Sequence, residues 1–329
     1  MRKTFITLAA GAMLFAIGCT KSAKNEPKAV TQEEEVSASA TQRQCSSYEV
    51  LQEQIAADPA RGKRLQAIED LTKQIIENPS QFRLLADGTI EIPVVFNVLY
   101  RTAAQNVSLA QLQSQIDVLN KDYAATNSDS NKVPSFFQGV AAGNTGIKFV
   151  LDAVNRRSTN TVSWSTNDAM KKSAKGIAPT SPTTKLNIWV CNMGGGILGY
   201  AQFPGGSSAT DGVVLDDNAT GNTGTAAAPF NLGRTATHEV GHWLNLRHIW
   251  GDATCGNDQV GDTPLHNTAN YGCPASGHRS TCTGTPVEMT MNYMDYTDDA
   301  CMYMFSAGQK ARMQATFAVG GGRNSFAQP

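Results

Sequence analysis

The sequence predicts a mixed α/β (α+β) fold, in which strands and helices alternate through the first part of the main domain and loops dominate the last part. Three short segments, residues 90–101, 147–154 and 185–191, are rich in β-branched and aromatic side chains, which favours strands. Residues 109–123 repeat apolar side chains at helical spacing. A second helical pattern surrounds His238, and the chain beyond it is rich in Gly, Asp, Asn and Thr.

Three serines mark predicted helix starts. Ser46 is followed by Glu three positions later, and Ser108 and Ser306 are each followed by Gln at the same spacing. This is the sequence pattern of a capping box, in which two side chains satisfy free backbone N–H groups of the first turn. We therefore expect a helix to begin after each of the three serines.

Residues 1–19 have the pattern of a secretory signal. Two basic residues precede an apolar run, residues 5–17, that is too short to span a bilayer. The run ends in Ala-Ile-Gly-Cys at Cys19, which is similar to a bacterial lipobox, whose cysteine is lipidated after cleavage. We expect an exported protein, which is either an outer-membrane or cell-surface lipoprotein anchored through Cys19 or a plainly secreted, extracellular protein.

The rest of the chain divides into four segments by composition. Residues 20–44 hold few large apolar side chains and many Lys, Glu, Ser and Thr, which predicts a flexible tether. Residues 45–87 contain two helical stripes that end before prolines. Two short helices cannot bury enough surface to be stable alone, so we interpret this segment as a propeptide that packs on a larger domain. Residues 88–322 are long enough for that domain, and residues 323–329 form a tail.

The pattern HExxH, with His238, Glu239 and His242, lies on the second predicted helix of the main domain. Histidines four residues apart share one helical face, so both imidazoles point to one place, and the glutamate beside the first becomes a candidate general base. His248 lies nearly three turns from His238 and reaches the same ion only if the chain bends sharply. Asn245 marks that bend, because Asn is the best non-glycine residue for a left-handed backbone.

This cluster of histidines indicates a catalytic zinc site. HExxH alone also arises by chance on ordinary helices, but three of the five histidines of the chain lie within residues 238–248. Three neutral imidazoles leave zinc a fourth position for water, as catalytic sites require.

A second motif lies downstream, MNYMDYTDDACMYMF at residues 291–305. Considered alone, a Met-rich segment is most simply a core strand. Together with HEVGHWLNLRHIWGD at residues 238–252, however, it resembles the pappalysin family of metzincin peptidases, in particular its small bacterial members. The resemblance covers residues 88–320 well and the propeptide only loosely. It implies a twisted sheet with two main helices above an active-site cleft and a loop-rich, disulfide-stabilised half below it.

The resemblance also implies roles for individual residues. Met294 is expected in a tight turn beneath the zinc ligands, and Tyr296 is expected to help hold the oxyanion of the reaction. Cys45 corresponds to the family's cysteine switch, whose thiolate occupies the fourth position of the zinc and keeps the enzyme latent. Alternatively, Cys45 is an incidental thiol or a disulfide partner of Cys191.

Four further cysteines lie in the loop-rich region, at positions 255, 273, 282 and 301. No CxxC pair is present, and export places the chain in an oxidising compartment, so disulfides are favoured over a second zinc site. Four cysteines allow three pairings. The family's arrangement implies Cys255 with Cys282 and Cys273 with Cys301.

Residues 251–264 are dense in oxygen ligands, and Asp258, Asp262 and Thr263 are candidates for binding calcium. The spacing is not that of an EF-hand. Pappalysins of this size bind calcium in the corresponding loop, and the resemblance implies a structural calcium ion at Asp258 and Thr263. A solvated acidic turn is the alternative.

Ala300 departs from the family pattern. Family members that cleave before arginine carry an acidic residue just ahead of the cysteine that follows the methionine turn, whereas here Asp298, Asp299 and Ala300 precede Cys301. A buried guanidinium without its partner costs several kcal/mol. We therefore expect a weaker preference for arginine than in those relatives, unless Asp298 or Asp299 reaches into the pocket.

Composition excludes a nucleic-acid partner. The formal net charge is -1 and 17% of the residues are charged, so the chain has no broad basic surface. We expect a monomer that acts on protein or peptide substrates and contacts a membrane only through a lipid anchor at Cys19.

Two functional classes remain open. The first is an exported zinc-dependent endopeptidase, made as a latent zymogen, in which Glu239 is the general base. The second is a surface-anchored binding protein that keeps the metzincin fold with little turnover. The intact Glu239 favours the first class, because a pure metal scaffold has no need of that carboxylate.

Overall fold

The computed structural model describes residues 40–78 and 89–327. The predicted signal, the lipidation of Cys19 and most of the predicted tether lie outside these ranges. Within them, no helix is both long and apolar enough to cross a membrane.

A five-stranded sheet forms the centre of the main domain. Its strands are β1 (Ile90–Tyr100), β2 (Ile147–Ser158), β3 (Leu186–Cys191), β4 (Gly199–Ala201) and β5 (Val213–Asp216). The spatial order is β2-β1-β3-β5-β4. All neighbouring strands are parallel except β4, which pairs antiparallel with β5. The sequence predicted the first three strands but not β5.

In the described ranges, six helices accompany the sheet: α1 (Ser47–Ala57), α2 (Pro59–Glu77), α3 (Leu109–Tyr123), α4 (Ser135–Gln138), α5 (Arg234–Trp243) and α6 (Ala307–Ala315). Helices α3 and α5 are the two main helices of the upper half. Side chains of α3 and α5 pack with alternate residues of β1 in one continuous apolar cluster. A second cluster, on the other side of the sheet, contains Trp189, Tyr200 and Val214. The predicted mixed fold with a sheet and two main helices is therefore confirmed.

The lower half, which follows α5, has little regular structure apart from α6. Two disulfides cross-link it, Cys255–Cys282 and Cys273–Cys301. This is the pairing implied by the family resemblance. Each bridge closes a loop of nearly thirty residues, which in the chain-entropy model stabilises the folded state by about 3–4 kcal/mol.

Helices α1 and α2 lie where a propeptide was expected, against the main domain. In α2, Ile75 is buried together with Ala315 and Ala318. Arg61 is also buried, and its guanidinium donates to the carbonyl oxygens of Phe203 (2.8 Å) and Pro204 (2.6 Å). The two helices thus obtain from the larger domain the buried surface that they lack alone.

The structure differs from the predicted boundaries at both ends. Arg43, assigned to the flexible tether, is only 1% exposed. In the predicted tail, Arg323 forms a buried ion pair with Asp211 and lies 4.1 Å from the ring centroid of Trp243, which also packs against Phe326. The ordered domain therefore extends further at both ends than composition indicated.

Candidate metal and catalytic site

Helix α5 and the turn that follows it bring the three histidines together. His238 and His242 lie one helical turn apart on α5, and both are fully buried. Asn245 has φ 71°, the left-handed conformation predicted for it, and the next residue, Leu246, donates its N–H back to the carbonyl of Gly241. The chain therefore reverses at this point, and His248 returns to the face of α5.

The ligand atoms converge at distances that fit one zinc ion. Nε2 of His242 lies 3.1 Å from Nε2 of His238 and 3.1 Å from Nε2 of His248. Nitrogen ligands at about 2.0–2.1 Å from a tetrahedral zinc are about 3.3 Å apart. Sγ of Cys45 completes the group, since all four ligand atoms lie within 4.8 Å of one another. Among the described residues, this is the one group of three or more His, Cys, Asp or Glu side chains that are close enough together to hold a metal ion.

Each imidazole is oriented through its other nitrogen. Nδ1 of His238 bonds to the carbonyl oxygen of Tyr293 (2.7 Å), and Nδ1 of His242 bonds to the carbonyl oxygen of Leu246 (2.8 Å). Nδ1 of His248 bonds to the carboxylate of Asp252. Because these groups accept hydrogen bonds, Nδ1 carries the proton and Nε2 is left as a metal ligand. Burial lowers the pKa of His238 and His242 well below the usual value, which favours the neutral form that a metal requires.

Met294 lies directly against α5, as expected for the methionine turn. It is fully buried, and its carbonyl accepts the N–H of Ile249, which follows the last histidine. A Cβ added to Gly241 would lie only 2.5 Å from Sδ of Met294. The glycine within HEVGH therefore leaves the space that the Met294 side chain occupies against the helix.

Glu239 is 1% exposed and lies against the edge strand β4. Burial raises its pKa to about 7, although a hydrogen bond from Ser47 acts in the opposite direction. A Cβ on Gly199 would lie 3.0 Å from Cγ of Glu239 and 2.8 Å from the carbonyl oxygen of Val214, so only glycine fits at this position. A carboxylate with a pKa near neutrality is suited to accept and return a proton.

Residues 44–46 lie extended along the free edge of β4 and form a β-bridge with it. Leu198 donates its N–H to the carbonyl of Gln44 (2.9 Å), and Ser46 donates to the carbonyl of Gly199 (3.2 Å). The pairing is parallel. The segment before α1 therefore occupies the edge to which an extended peptide would be added.

Cys45 lies at the centre of this segment and contacts the two candidate catalytic residues, Glu239 and Tyr296. Its Sγ lies 3.3 Å from Oε2 of Glu239. The hydroxyl of Tyr296 accepts the N–H of Cys45 (3.3 Å) and donates to its carbonyl (2.9 Å). Cys45 and Cys191 are both buried and free, so the alternative of a disulfide between them does not occur.

Arg43 fills a pocket beside the histidines. Its guanidinium donates to Asp299 Oδ1 (2.5 Å), Thr235 Oγ1 (3.2 Å) and the carbonyl oxygen of Thr297 (3.3 Å), and its charged carbon lies 5.1 Å from the ring centroid of Phe230. A carboxylate, a hydroxyl, a carbonyl and an aromatic ring together make a site suited to a guanidinium.

Asp299, rather than position 300, supplies the carboxylate of this pocket. It is fully buried, and its Oδ2 accepts the N–H groups of Leu232 and Arg234 at the start of α5. Ala300 is exposed. Asp299, one of the two residues that the sequence analysis named as able to replace the missing carboxylate, therefore pairs with Arg43, and the arginine preference itself stays a prediction.

The residues expected to bind calcium do not share one centre. The carboxylate of Asp258 accepts the hydroxyl of Thr263 at 2.8 and 3.0 Å. Asp262 instead accepts the hydroxyl of Ser306 (2.6 Å) and the N–H of Gly308 (2.7 Å) at the start of α6. Asp262 is thus engaged in capping a helix, and calcium at Asp258 and Thr263 stays a prediction.

Two residues of the site were missed from the sequence: Ser47 and Asp252. Asp252 lies four residues after His248, within the motif that carried the resemblance, and that spacing was the available signal. Ser47 acts on Glu239, far away in the chain, and no local pattern identifies such a contact.

Comparisons with known proteins agree with this geometry. A family model described as pregnancy-associated plasma protein-A matches residues 186–318. An extracellular metalloprotease of Pyricularia oryzae is 37% identical over 223 residues, which cover 66% of this chain and 70% of that protein. Another, from Verticillium alfalfae, is 34% identical and is covered over 78% of its length.

Solved structures give the same result. A mutant of promirolysin from Tannerella forsythia is 40% identical, with a TM-score of 0.79, and the alignment covers 87% of this chain and 97% of that chain. Mature mirolysin in complex with a cleaved peptide is 44% identical, with a TM-score of 0.70, and the alignment covers 73% of this chain and 96% of that chain. The present chain belongs to the pappalysin family of metzincins and is a zinc metalloendopeptidase.

Proposed function

We propose that this chain is the latent zymogen of an exported zinc endopeptidase, with residues 45–87 as its propeptide and residues 88–322 as the core of its catalytic domain. His238, His242 and His248 hold the catalytic zinc, and Cys45 occupies the fourth position until the propeptide is removed. The observation that carries the proposal is the convergence of these four side chains within 4.8 Å.

The thiol of Cys45 must lose its proton to bind zinc, and a nearby cation favours that loss. Burial, together with the neighbouring Glu239 carboxylate, raises the pKa of this thiol well above its usual value. A coordinating thiol is deprotonated by the charge of the metal that it binds. The switch is therefore expected to depend on the metal content of the chain.

After the propeptide leaves, the groups that it covers become the catalytic machinery. Zinc, when bound, polarises the scissile carbonyl and lowers the pKa of water in its open position to about 7. Glu239 takes a proton from the attacking water and passes it to the leaving amine. Tyr296, released from Cys45, donates a hydrogen bond from its hydroxyl to the developing oxyanion. The edge of β4 holds the substrate backbone as an added strand.

The pocket that holds Arg43 points to the substrate class. It lies beside the histidines, between Thr235 and Thr297, and its buried Asp299 lacks a cationic partner once Arg43 is withdrawn. A buried unpaired carboxylate disfavours apolar occupants and favours a guanidinium. We therefore propose peptide bonds that place arginine in this pocket as the preferred substrates, which replaces the weaker preference inferred from Ala300.

Export is supported by two independent observations. The similar fungal proteins are named extracellular metalloproteases. Two disulfides in the lower half also fit an oxidising compartment. The binding-protein alternative has less support, because Glu239 is intact and is buried in contact with the inhibitory segment.

The first prediction concerns the general base. Glu239→Gln should keep zinc, because all three histidines remain, but peptide hydrolysis by the processed protein should fall about 100- to 10,000-fold. Zinc content by elemental analysis and hydrolysis of a fluorogenic peptide, with a chelator as control, measure both effects. If this variant hydrolyses peptide at the wild-type rate, the mechanism is wrong. If the processed wild-type chain itself hydrolyses no peptide, the binding-protein alternative is favoured.

The second prediction concerns latency. Cys45→Ala should shorten the lag before self-processing and raise peptide hydrolysis by the unprocessed chain, because the fourth zinc position is then open to water. Cys191→Ala is the matched control, since Cys191 is also a buried free cysteine but lies outside the metal group. If both variants are as latent as the wild type, Cys45 is not the switch.

The third prediction concerns specificity. Asp299→Asn should lower kcat/KM for arginine-containing sites by about 100-fold or more, since a buried charge pair is lost. Asp298→Asn is the control, because Asp298 neighbours the pocket but makes no bond to Arg43. Cleavage-site profiling on a proteome-derived peptide library gives the readout. An unchanged arginine preference in Asp299→Asn would show that this pocket does not select the substrate.

A further inference from the structure

We propose that Ser47 is a second inhibitory contact of the propeptide, which blocks the catalytic base Glu239 separately from the action of Cys45 on the metal position. The inference rests on the proposed function and extends it. Ser47 is the first residue of α1, a position that is usually exposed, yet it is 0% exposed. Its burial places a hydroxyl inside the catalytic centre.

The hydroxyl of Ser47 has three hydrogen-bond partners: the Cys45 thiol, 3.2 Å away, and two groups that fix the direction of their bonds. It donates to Oε2 of Glu239 at 2.8 Å and accepts the N–H of Ala201 at 2.7 Å. A carboxylate only accepts and a backbone N–H only donates, so the single hydroxyl proton must point at Glu239. Ser47 therefore joins the base to the edge strand of the cleft.

Both partners of Ser47 are groups that catalysis needs to be free. A Glu239 oxygen that accepts the serine proton is closed to the attacking water, and a bonded Ala201 N–H is closed to the backbone carbonyl of an extended substrate. Hydrogen bonds to charged groups are among the stronger ones in proteins. The contact thus blocks the base and one substrate-binding position together.

The position of Ser47 is held by α1 as well as by the Cys45 thiol, whose Sγ lies 3.2 Å from the Ser47 hydroxyl and accepts the backbone N–H of Ser47 at 3.4 Å. Val50 of α1 is buried in the apolar cluster that contains Tyr200 and Val214, and Leu51 is buried as well. Removing the sulfur of Cys45 leaves these contacts in place. The account therefore predicts that a chain without the thiol is still held partly latent by Ser47.

Ser46 provides a matched comparison. It has the same side chain one position earlier, but that side chain makes no helix-capping bond, and its residue contacts β4 through the backbone N–H. Replacing Ser46 with alanine changes the same chemical group without touching Glu239.

The experiment compares four variants of the full chain: Cys45→Ala, Ser47→Ala, the double variant, and Cys45→Ala combined with Ser46→Ala. Initial hydrolysis of a fluorogenic peptide is measured before self-processing, and mass spectrometry follows the processing itself. The double variant at positions 45 and 47 should hydrolyse peptide about tenfold faster or more than Cys45→Ala, the gain expected when a bond to a charged group is lost. The Ser46 combination should equal Cys45→Ala.

Two results would overturn the inference. One is equal activity of Cys45→Ala and the double variant at positions 45 and 47. The other is loss of amide-exchange protection throughout α1 in Ser47→Ala, because Ser47 would then act by holding the helix rather than by blocking the base. Failure of the proposed function itself is recognised separately, since the processed wild-type chain would then hydrolyse no peptide.

Discussion

The reversal of the chain after α5 is the constraint on which the site depends. A helix can aim only His238 and His242 at one point, and the third imidazole arrives because Asn245 adopts a left-handed conformation. The returning segment then bonds to the methionine turn through Ile249 and Met294. One backbone turn therefore sets the metal ligands and joins the upper half of the domain to the lower half.

In the proposed zymogen, the segment from Arg43 to the end of α2 inhibits by occupying the groups that a substrate needs. Residues 44–46 pair with the edge of β4, Tyr296 bonds to both backbone groups of Cys45, and Arg43 pairs with Asp299. Contacts far from the metal strengthen this arrangement: Glu69 in α2 pairs with Arg312 in α6 at 2.5 Å. Latency is in this view distributed over the metal position, the base, the substrate edge and the pocket.

Local patterns predicted much of the fold, and long-range contacts explain where prediction failed. The capping serines show the difference. Ser108 and Ser306 accept hydrogen bonds from the third residue of their helices, as predicted. Ser46 has the same pattern but makes no capping bond, and its own N–H bonds to Gly199. A tertiary contact across more than 150 positions of the chain has replaced the local one.

The site follows the same rule. The spacing of the three histidines is local and could be read from the sequence, as could the bend at Asn245. Ser47 could not be predicted, because its contact is with Glu239, far away in the chain. Asp299 was named only as one of two possible residues, because its partner Arg43 is equally distant in sequence.

Zinc K-edge X-ray absorption on the unprocessed, zinc-loaded chain reports the ligand atoms of the metal themselves. We expect three nitrogen ligands and one sulfur ligand, the sulfur at about 2.3 Å from the metal, with oxygen replacing the sulfur after the propeptide is removed. A spectrum of the unprocessed chain that contains only nitrogen and oxygen ligands would contradict the proposed ligand set.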